Sequence, residues 1–425
     1  MLKGTDLSNA IYGGIFNIDN AGSSPGIELF NFIYGVTEND MLSPDRDICP
    51  TKYGHHIARK LAHGDLEADI TENMLQGENA EIVLGKLFAS LQIQPPNIKR
   101  TTDAGWTRKP FFPFTKSLIH WDIRKNGKIE RVWMRGGGAL LHKILRKDDD
   151  LERLKRIKLG FINLYSLSEG SSLHRLSAFF RSENAFSPLA SSSIKPDEVE
   201  RNSRANVDDF ESTYRDGVLN ILEHKRLTNV GKIESLVNWS GLWLALMQYR
   251  RSCDALEDHT PLPIVCDCAL HASPIRRLAR KQFQRAFSTI KTALDDFEQK
   301  KYKDVNEGQK NKIRGFFPST ASGMGLLNAY TGSRYFTLKI IALETIVAAL
   351  VPAEDEMPFS EFVDKKLYIK LGIVVSRGAA KSAGLLEEYD GTLFEENEHG
   401  LGVQMKAAGL LTTYSDATKM ISIKR

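Results

Sequence analysis

A cluster of thiol and imidazole side chains is the first feature of the sequence that could do chemistry. Cys266, Cys268 and His271 lie close together, and Cys253 and His259 precede them. Zinc binds such side chains, but its sites need four ligands and usually separate paired cysteines by two to four residues. Because a single residue separates Cys266 from Cys268, we interpret these thiols as reduced loop cysteines and predict no metal or other cofactor.

Two carboxylates and a lysine near the middle of the chain indicate a second chemistry, the metal-dependent cleavage of nucleic acid. Asp197, Glu223 and Lys225 follow the PD…ExK order of restriction-type nucleases. In such a site the carboxylates hold a metal ion and the lysine assists the attacking water. That site needs adjacent strands, whereas the segment around Glu223 has helical spacing. A metal-dependent nuclease therefore stays an alternative. Arg59 and His63 resemble the Arg-His pair of helical ribonucleases, although their spacing is shorter, and they leave a nuclease role open as well.

Three consecutive glycines before an apparent helix form a candidate phosphate cradle, Arg135-Gly-Gly-Gly138. Unpaired N–H groups at the start of a helix attract anions. The segment lacks the Lys-Ser/Thr of a P-loop and the spacing of a dinucleotide-binding fingerprint. A simple strand-to-helix turn is the alternative to phosphate contact.

Charge is distributed unevenly along the chain, although the formal net charge is only +4. Residues 99–158 contain 17 Lys and Arg against 7 Asp and Glu, and residues 271–352 contain 14 against 6. The segments before, between and after these two basic blocks are all net acidic. Clustered cations gain affinity for nucleic acid by releasing counterions from phosphates. The alternative is that the basic and acidic segments neutralise each other.

Two groups of cations within the basic blocks are the predicted contacts to nucleic-acid phosphates. The first group lies on and just after a predicted β-hairpin, residues 120–134, whose Asn126-Gly127 pair suits a type I′ turn. Its members are Arg124, Lys125, Lys128, Arg131 and Arg135. The second group lies on a helix predicted from Pro274 to Lys300 and shortly after it. Its members are Arg276, Arg277, Arg280, Lys281, Arg285, Lys312 and Arg314.

Aromatic side chains follow the second group, and they suggest stacking on bases. They are Phe316, Phe317, Tyr330, Tyr335 and Phe336. The alternative is that these rings belong to the hydrophobic core. Apolar side chains at helical spacing, such as Leu236, Trp239 and Trp243, predict helices through most of residues 208–300.

The last part of the chain has the clearest predicted architecture. Helices are predicted at 335–351, 358–375 and 397–411, followed by two short β-prone runs. A helix-turn-helix relative that ends in a hairpin, the winged helix, has this order. The segment KAAGLLTTYSDATKMISI, residues 406–423, resembles the end of winged-helix domains in bacterial defence proteins. The resemblance implies an accessory subunit of a DNA-modification-linked anti-phage system, of the phosphorothioation- or methylation-associated kind.

Three glutamates, Glu395, Glu396 and Glu398, stand at the start of the helix predicted to read DNA. A recognition helix brings its first residues close to bases and phosphates, which would repel these carboxylates. We therefore expect the module to dock a protein partner or to present only its hairpin to DNA.

The sequence thus predicts a predominantly helical α+β protein with several domains. They are an N-terminal α+β domain (1–181), a Ser-rich linker (182–206), a helical domain with the basic helix (207–334) and the winged-helix-like module (335–425). No apolar run is long enough to span a bilayer and no signal peptide is visible, so we expect a cytoplasmic protein without membrane contact.

The predicted function is that of a subunit that binds DNA or another nucleic acid, or serves as a scaffold, in a multi-subunit bacterial defence complex. No catalytic residue is assigned, because no motif of a known reaction is complete. A purely structural interaction protein is the alternative to nucleic-acid binding, beside the nuclease already described.

Overall fold

A computed structural model describes most of the chain, namely residues 4–22, 24–49, 53–54, 80–90, 115–116, 119, 121–122, 136–165, 170–172, 174–175, 196–257, 261–271, 274–301, 305–352, 355–414 and 418–423. Helices form most of these residues, which confirms the predominantly helical class. Within these ranges no helix has the length and apolar character that crossing a bilayer requires.

The helices divide between the two halves of the chain. The first half contains α1 (Gly4–Tyr12), α2 (Ser24–Tyr34), α3 (Ala80–Ser90), α4 (Gly137–Arg146), α5 (Leu151–Asn163), α6 (Glu198–Asn202) and α7 (Asp209–Glu223). The second half contains α8 (Asn229–Ala255), α9 (Pro274–Lys301), α10 (Glu307–Gly323), α11 (Ile340–Leu350), α12 (Phe359–Glu361), which continues as a π-helix over Phe362–Lys370, α13 (Arg377–Ser382) and α14 (Gly391–Ala407). Short 3₁₀ turns occur at Ile18–Asn20 and Leu385–Glu387.

The described strands are two or three residues long and form three small sheets. They are β1 (Tyr53–Gly54), β2 (Trp121–Asp122), β3 (Ile264–Val265), β4 (Met357–Pro358), β5 (Ile373–Val374), β6 (Leu411–Thr413) and β7 (Lys419–Ile421). β1 pairs with β2 and β3 pairs with β5, both in parallel. β4, β7 and β6 form an antiparallel sheet in that order.

An aromatic ladder fixes α7 against α8 in the centre of the molecule. The Phe210 ring stacks on Trp243 with 5.2 Å between centroids, and Tyr214 stacks on Trp239 at 6.4 Å. Both indole N–H groups donate to backbone carbonyls of α7, at 3.2 Å each. Aromatic stacking adds to the free energy of area burial, and neither of these two indole N–H groups is left unpaired. α8 is therefore a rigid support for the elements packed on it.

One continuous apolar core runs from Leu7 in α1 to Ile423 after β7. It includes residues on both sides of the predicted boundary at 334–335, where Leu327 and Phe336 form an isolated antiparallel bridge. The predicted module therefore packs against the helices that precede it. The domain boundaries themselves stay a prediction.

α14 is anchored to the centre of the molecule through Asn397, whose side chain is fully buried. The Asn397 amide oxygen accepts the N–H of Cys268 at 2.7 Å, and its amide nitrogen donates to the carbonyls of Cys266 and Val375. α14 begins at Gly391, capped by Asp390, so the start predicted at residue 397 is wrong by about two turns. The N-cap residue Asp390 sets the start of the helix, whereas the prediction relied only on the spacing of apolar residues.

Candidate nucleic-acid interface

α9 is amphipathic and presents a long basic face, and its bounds confirm the long helix predicted from Pro274. Ile275, Phe283 and Ile290 are buried, whereas Arg277, Lys281 and Arg285 are exposed. Residues 274–291 contain six Lys and Arg and no Asp or Glu. These cations therefore have no carboxylate one turn away to pair with, except Lys291, which precedes Asp295 by four residues. The Asp295 carboxylate accepts a hydrogen bond from Lys310 instead. Four-residue spacing places Arg277, Lys281 and Arg285 one after another along one face.

The side chains of Arg277, Lys281 and Arg285 form no hydrogen bond or ion pair with any other described residue. Lys291 is also exposed and extends the same face, although the sequence analysis did not single it out. The sequence does indicate this residue, since Lys291 belongs to the same stretch without Asp or Glu, residues 274–291. Arg280 is half-buried at the edge of this face, and its Nε has no partner among the described residues. We call Arg277, Arg280, Lys281, Arg285 and Lys291 the basic face.

Three other predicted contacts are held by carboxylates. Arg276 Nε lies 2.8 Å from Asp267, Lys312 Nζ lies 3.2 Å from Asp19, and Arg314 lies 3.1 Å from Glu307. Asp267 is buried and raises the pKa of Arg276 through this hydrogen bond. Exposed ion pairs are worth only about 0–1 kcal/mol, but they lower the local positive potential. The role predicted for these three cations stays untested, and we leave them out of the basic face.

The aromatic rings near this surface belong mostly to the core. Phe316, Phe317 and Phe336 are fully buried, so the suggestion that they stack on bases is wrong. Their spacing in sequence does not distinguish a ring that packs inward from one that faces solvent. Tyr330 is 39% exposed, and Tyr335 lies under the Arg276 guanidinium at 5.2 Å.

The first predicted group of cations lies outside the described residues. This applies to Arg124, Lys125, Lys128, Arg131 and Arg135, and to the predicted hairpin apart from the strand β2. Their contact with nucleic acid stays a prediction.

The described part of the first basic block is largely neutralised by the protein itself. Glu200 is buried, and it accepts hydrogen bonds from Arg146 at 2.6 and 3.1 Å and from Lys143 at 3.3 Å. Burial alone would raise the pKa of Glu200, but the bonds from His142 and Arg146 outweigh it and lower that pKa to about 2. Arg153 pairs with Asp148 in the same way. Most cations of residues 136–158 are therefore neutralised by carboxylates of the protein itself, which is the alternative to contact with nucleic acid.

The three-glycine segment holds a carboxylate of the chain, and phosphate contact through Gly136–Gly138 is therefore wrong. The Gly136 N–H donates to both oxygens of Glu28, at 3.0 and 3.1 Å, and the Gly138 N–H donates to Glu28 Oε2 at 2.8 Å. Glu28 is 1% exposed. The N–H groups at the start of α4 do bind an anion, as the start of a helix favours. That anion is the Glu28 carboxylate, which lies on α2.

The residues of the nuclease alternative have structural roles. Asp197 caps α6 by accepting the Glu200 N–H, and both oxygens of Glu223 accept hydrogen bonds from Arg156, at 2.8 and 2.5 Å. Among the described residues no group of three or more His, Cys, Asp or Glu side chains could hold a metal ion. Arg59 and His63 lie outside the described residues.

The cysteines near residue 266 are buried thiols. Burial raises the pKa of Cys268 to about 12 and that of Cys253 to about 11. A thiol with a raised pKa is a poor nucleophile and a poor metal ligand at neutral pH. The structure therefore gives these side chains a packing role.

Comparison with known proteins identifies no relative of this chain. No family model, curated protein or solved structure matches it. Its function is therefore inferred from its own residues.

Proposed function

We propose that this chain is a non-enzymatic nucleic-acid-binding subunit and that the basic face of α9 contacts phosphates. The observation that carries this proposal is the row of exposed, unpaired cations Arg277, Lys281 and Arg285. Four residues of helix rise about 6 Å, so these three cations form a row along α9 that can contact successive phosphates of one strand.

We also propose that residues 335–425 form a winged-helix-like module that docks a protein partner in a bacterial defence complex. The order of its elements and the β4-β7-β6 sheet support this proposal. Glu396 is exposed on α14 and would repel phosphates, whereas Glu395 forms an ion pair with Arg377. The defence setting rests on the sequence resemblance of residues 406–423.

Neutralising the basic face should weaken binding and flatten its salt dependence. We expect the triple variant Arg277→Gln, Lys281→Gln, Arg285→Gln to reduce the magnitude of the slope of log affinity against log salt by about 2–3, because each phosphate contact contributes about 0.7–0.9. Fluorescence anisotropy with single- and double-stranded oligonucleotides, at several salt concentrations, measures this change.

A matched control removes three exposed lysines elsewhere, with Lys365→Gln, Lys381→Gln and Lys406→Gln. These side chains lie in the C-terminal module, and we expect the control to keep the wild-type salt slope. Equal losses in both variants would indicate nonspecific attraction by net charge. Wild-type protein that binds no oligonucleotide at low salt would leave a protein-interaction subunit as the function.

A further inference from the structure

A cavity of about 380 Å³ lies beside α8 and was not indicated by any sequence motif. Its wall is mostly apolar, with side chains of α7 and α8, the segment 261–264 and the end of the π-helix; they include Phe210, Leu246, Leu262 and Ile369. Leu262 and Ile369 are 39% and 69% exposed, which places the mouth of the cavity beside them. Clefts of about 300–1,000 Å³ that are lined mainly by apolar side chains are typical of small-molecule sites.

Arg250 lines the cavity, and the nitrogen atoms of its side chain are bonded to no other described residue. Its guanidinium lies over the Phe210 ring, 4.9 Å from the centroid, and Phe210 stacks on Trp243 behind it. Arg250 is exposed and forms no hydrogen bond or ion pair with another described residue. The hydroxyls of Tyr249 and Tyr368, in contrast, are bonded to backbone groups of the protein.

Arg250 thus adds a flat, positively charged and exposed group to the aromatic pair Phe210–Trp243. A planar, electron-rich ring can stack on a guanidinium whose opposite side rests on an aromatic ring. Nucleobases have such a ring, and single-strand-binding proteins hold bases on aromatic and arginine side chains. The cavity therefore offers an apolar wall and a stacking surface for one base.

The cavity also lies near the basic face. Burial raises the pKa of Tyr249, which lines the cavity, and the nearby charge of Arg285 opposes part of that rise. Arg250 and Arg285 thus place positive charge beside the cavity, where a phosphate attached to the base would lie. Asp254 lies one turn from Arg250 on α8; burial raises the pKa of Asp254, and the charge of Arg250 opposes part of that rise.

We infer that this cavity receives one unstacked base of a single-stranded nucleic acid whose phosphates lie on the basic face of α9. The inference rests on the proposed function and makes it more specific. A base inside a duplex is paired and stacked, so it would have to be flipped out to enter. Single strands should therefore bind more tightly than duplexes of equal length.

The test compares two single strands that carry the same phosphates, a 12-nucleotide thymidine strand and a fully abasic strand of equal length. We expect the wild-type protein to bind the thymidine strand about tenfold more tightly, the effect of one stacked base. Arg250→Gln and Ile369→Ser should each bring this ratio of affinities close to one. Because both strands have equal charge, the ratio separates base contact from phosphate contact.

Val403→Ser is the matched control, since it replaces another exposed apolar side chain and should keep the wild-type ratio. A wild-type ratio of one, or an unchanged ratio in both cavity variants, would overturn the inference. If the wild type binds both strands equally and the triple variant of the basic face still loses its salt slope, only the cavity assignment fails. If the wild type binds neither strand, the proposed function fails with it.

Discussion

At the scale of single residues, the position of one carboxylate decides what the segment Gly136–Gly138 does. The N–H groups at the start of α4 point at Glu28, which lies more than a hundred positions earlier in the chain. A helix start attracts any anion, and a buried side chain of the same protein is always present at high effective concentration. Lys312 likewise binds a carboxylate that is distant in sequence, that of Asp19, which lies 293 positions earlier in the chain.

Replacing Glu28 with glutamine should destabilise the fold and leave nucleic-acid binding unchanged. The variant loses the charge that accepts three backbone N–H bonds and turns an amide donor toward them. We expect a loss of about 1–3 kcal/mol in the free energy of unfolding, measured by urea denaturation. Glu234→Gln, at an exposed position of α8, should change stability little. A stable Glu28→Gln protein that binds phosphate more tightly would return this segment to the candidate sites.

Sequence predicts such residue-level features only in part. The acid-free run from 274 to 291 is visible in the chain, and it correctly singles out cations that lack a partner on their own helix. The carboxylates that hold Arg276 and Lys312 come from other elements, so no spacing rule could show them. The cavity around Arg250 is likewise assembled from segments that lie far apart in the sequence.

At the scale of elements, close packing of α2 on α4 explains the three glycines. A Cβ atom built on Gly138 would lie 2.5 Å from both Glu28 Cβ and the Leu29 backbone nitrogen. Gly136 has a φ of +106°, in the region that favours glycine. The glycines therefore allow two helices to approach, and Gly136 forms the start of α4.

Gly138→Ala should therefore be strongly destabilising. Since the backbone of Leu29 cannot move without separating the helices, we expect a loss of about 3 kcal/mol or more in the free energy of unfolding. Gly402→Ala in α14 is the matched control, because its Cβ would make ordinary contacts at 3.6 Å. That control should gain about 0.5–1 kcal/mol from helix propensity. Similar unfolding midpoints for the two variants would contradict the packing role.

Helices with clear apolar stripes were predictable, and short paired strands were not. α8 and α9 lie where the spacing of apolar residues places them, since burial of one face decides their position. β3 and β5 are two residues long and pair across more than a hundred positions. Pairs of this kind carry no periodic signal, and α14 began earlier than expected because Asp390 caps it.

At the scale of the whole molecule, the two basic blocks differ in how far their cations pair with carboxylates of the protein. In the first block, Arg146 and Arg153 turn toward buried carboxylates. The second block divides, because Arg276 and the later cations Lys312 and Arg314 pair with acidic residues, while Arg277, Lys281 and Arg285 stay exposed. Net charge along the sequence therefore locates the candidate surface only after pairing within the fold is known.

Lysine acylation followed by mass spectrometry, with and without a saturating single-stranded oligonucleotide, tests the proposed surface most directly. The lysines of the basic face, Lys281 and Lys291, are exposed in the free protein. We predict that bound nucleic acid protects both of them severalfold and leaves Lys365, Lys381 and Lys406 as reactive as before. Unchanged reactivity of Lys281 and Lys291 at saturation, or protection confined to the lysines of the C-terminal module, would contradict the assignment of α9 as the phosphate-binding surface.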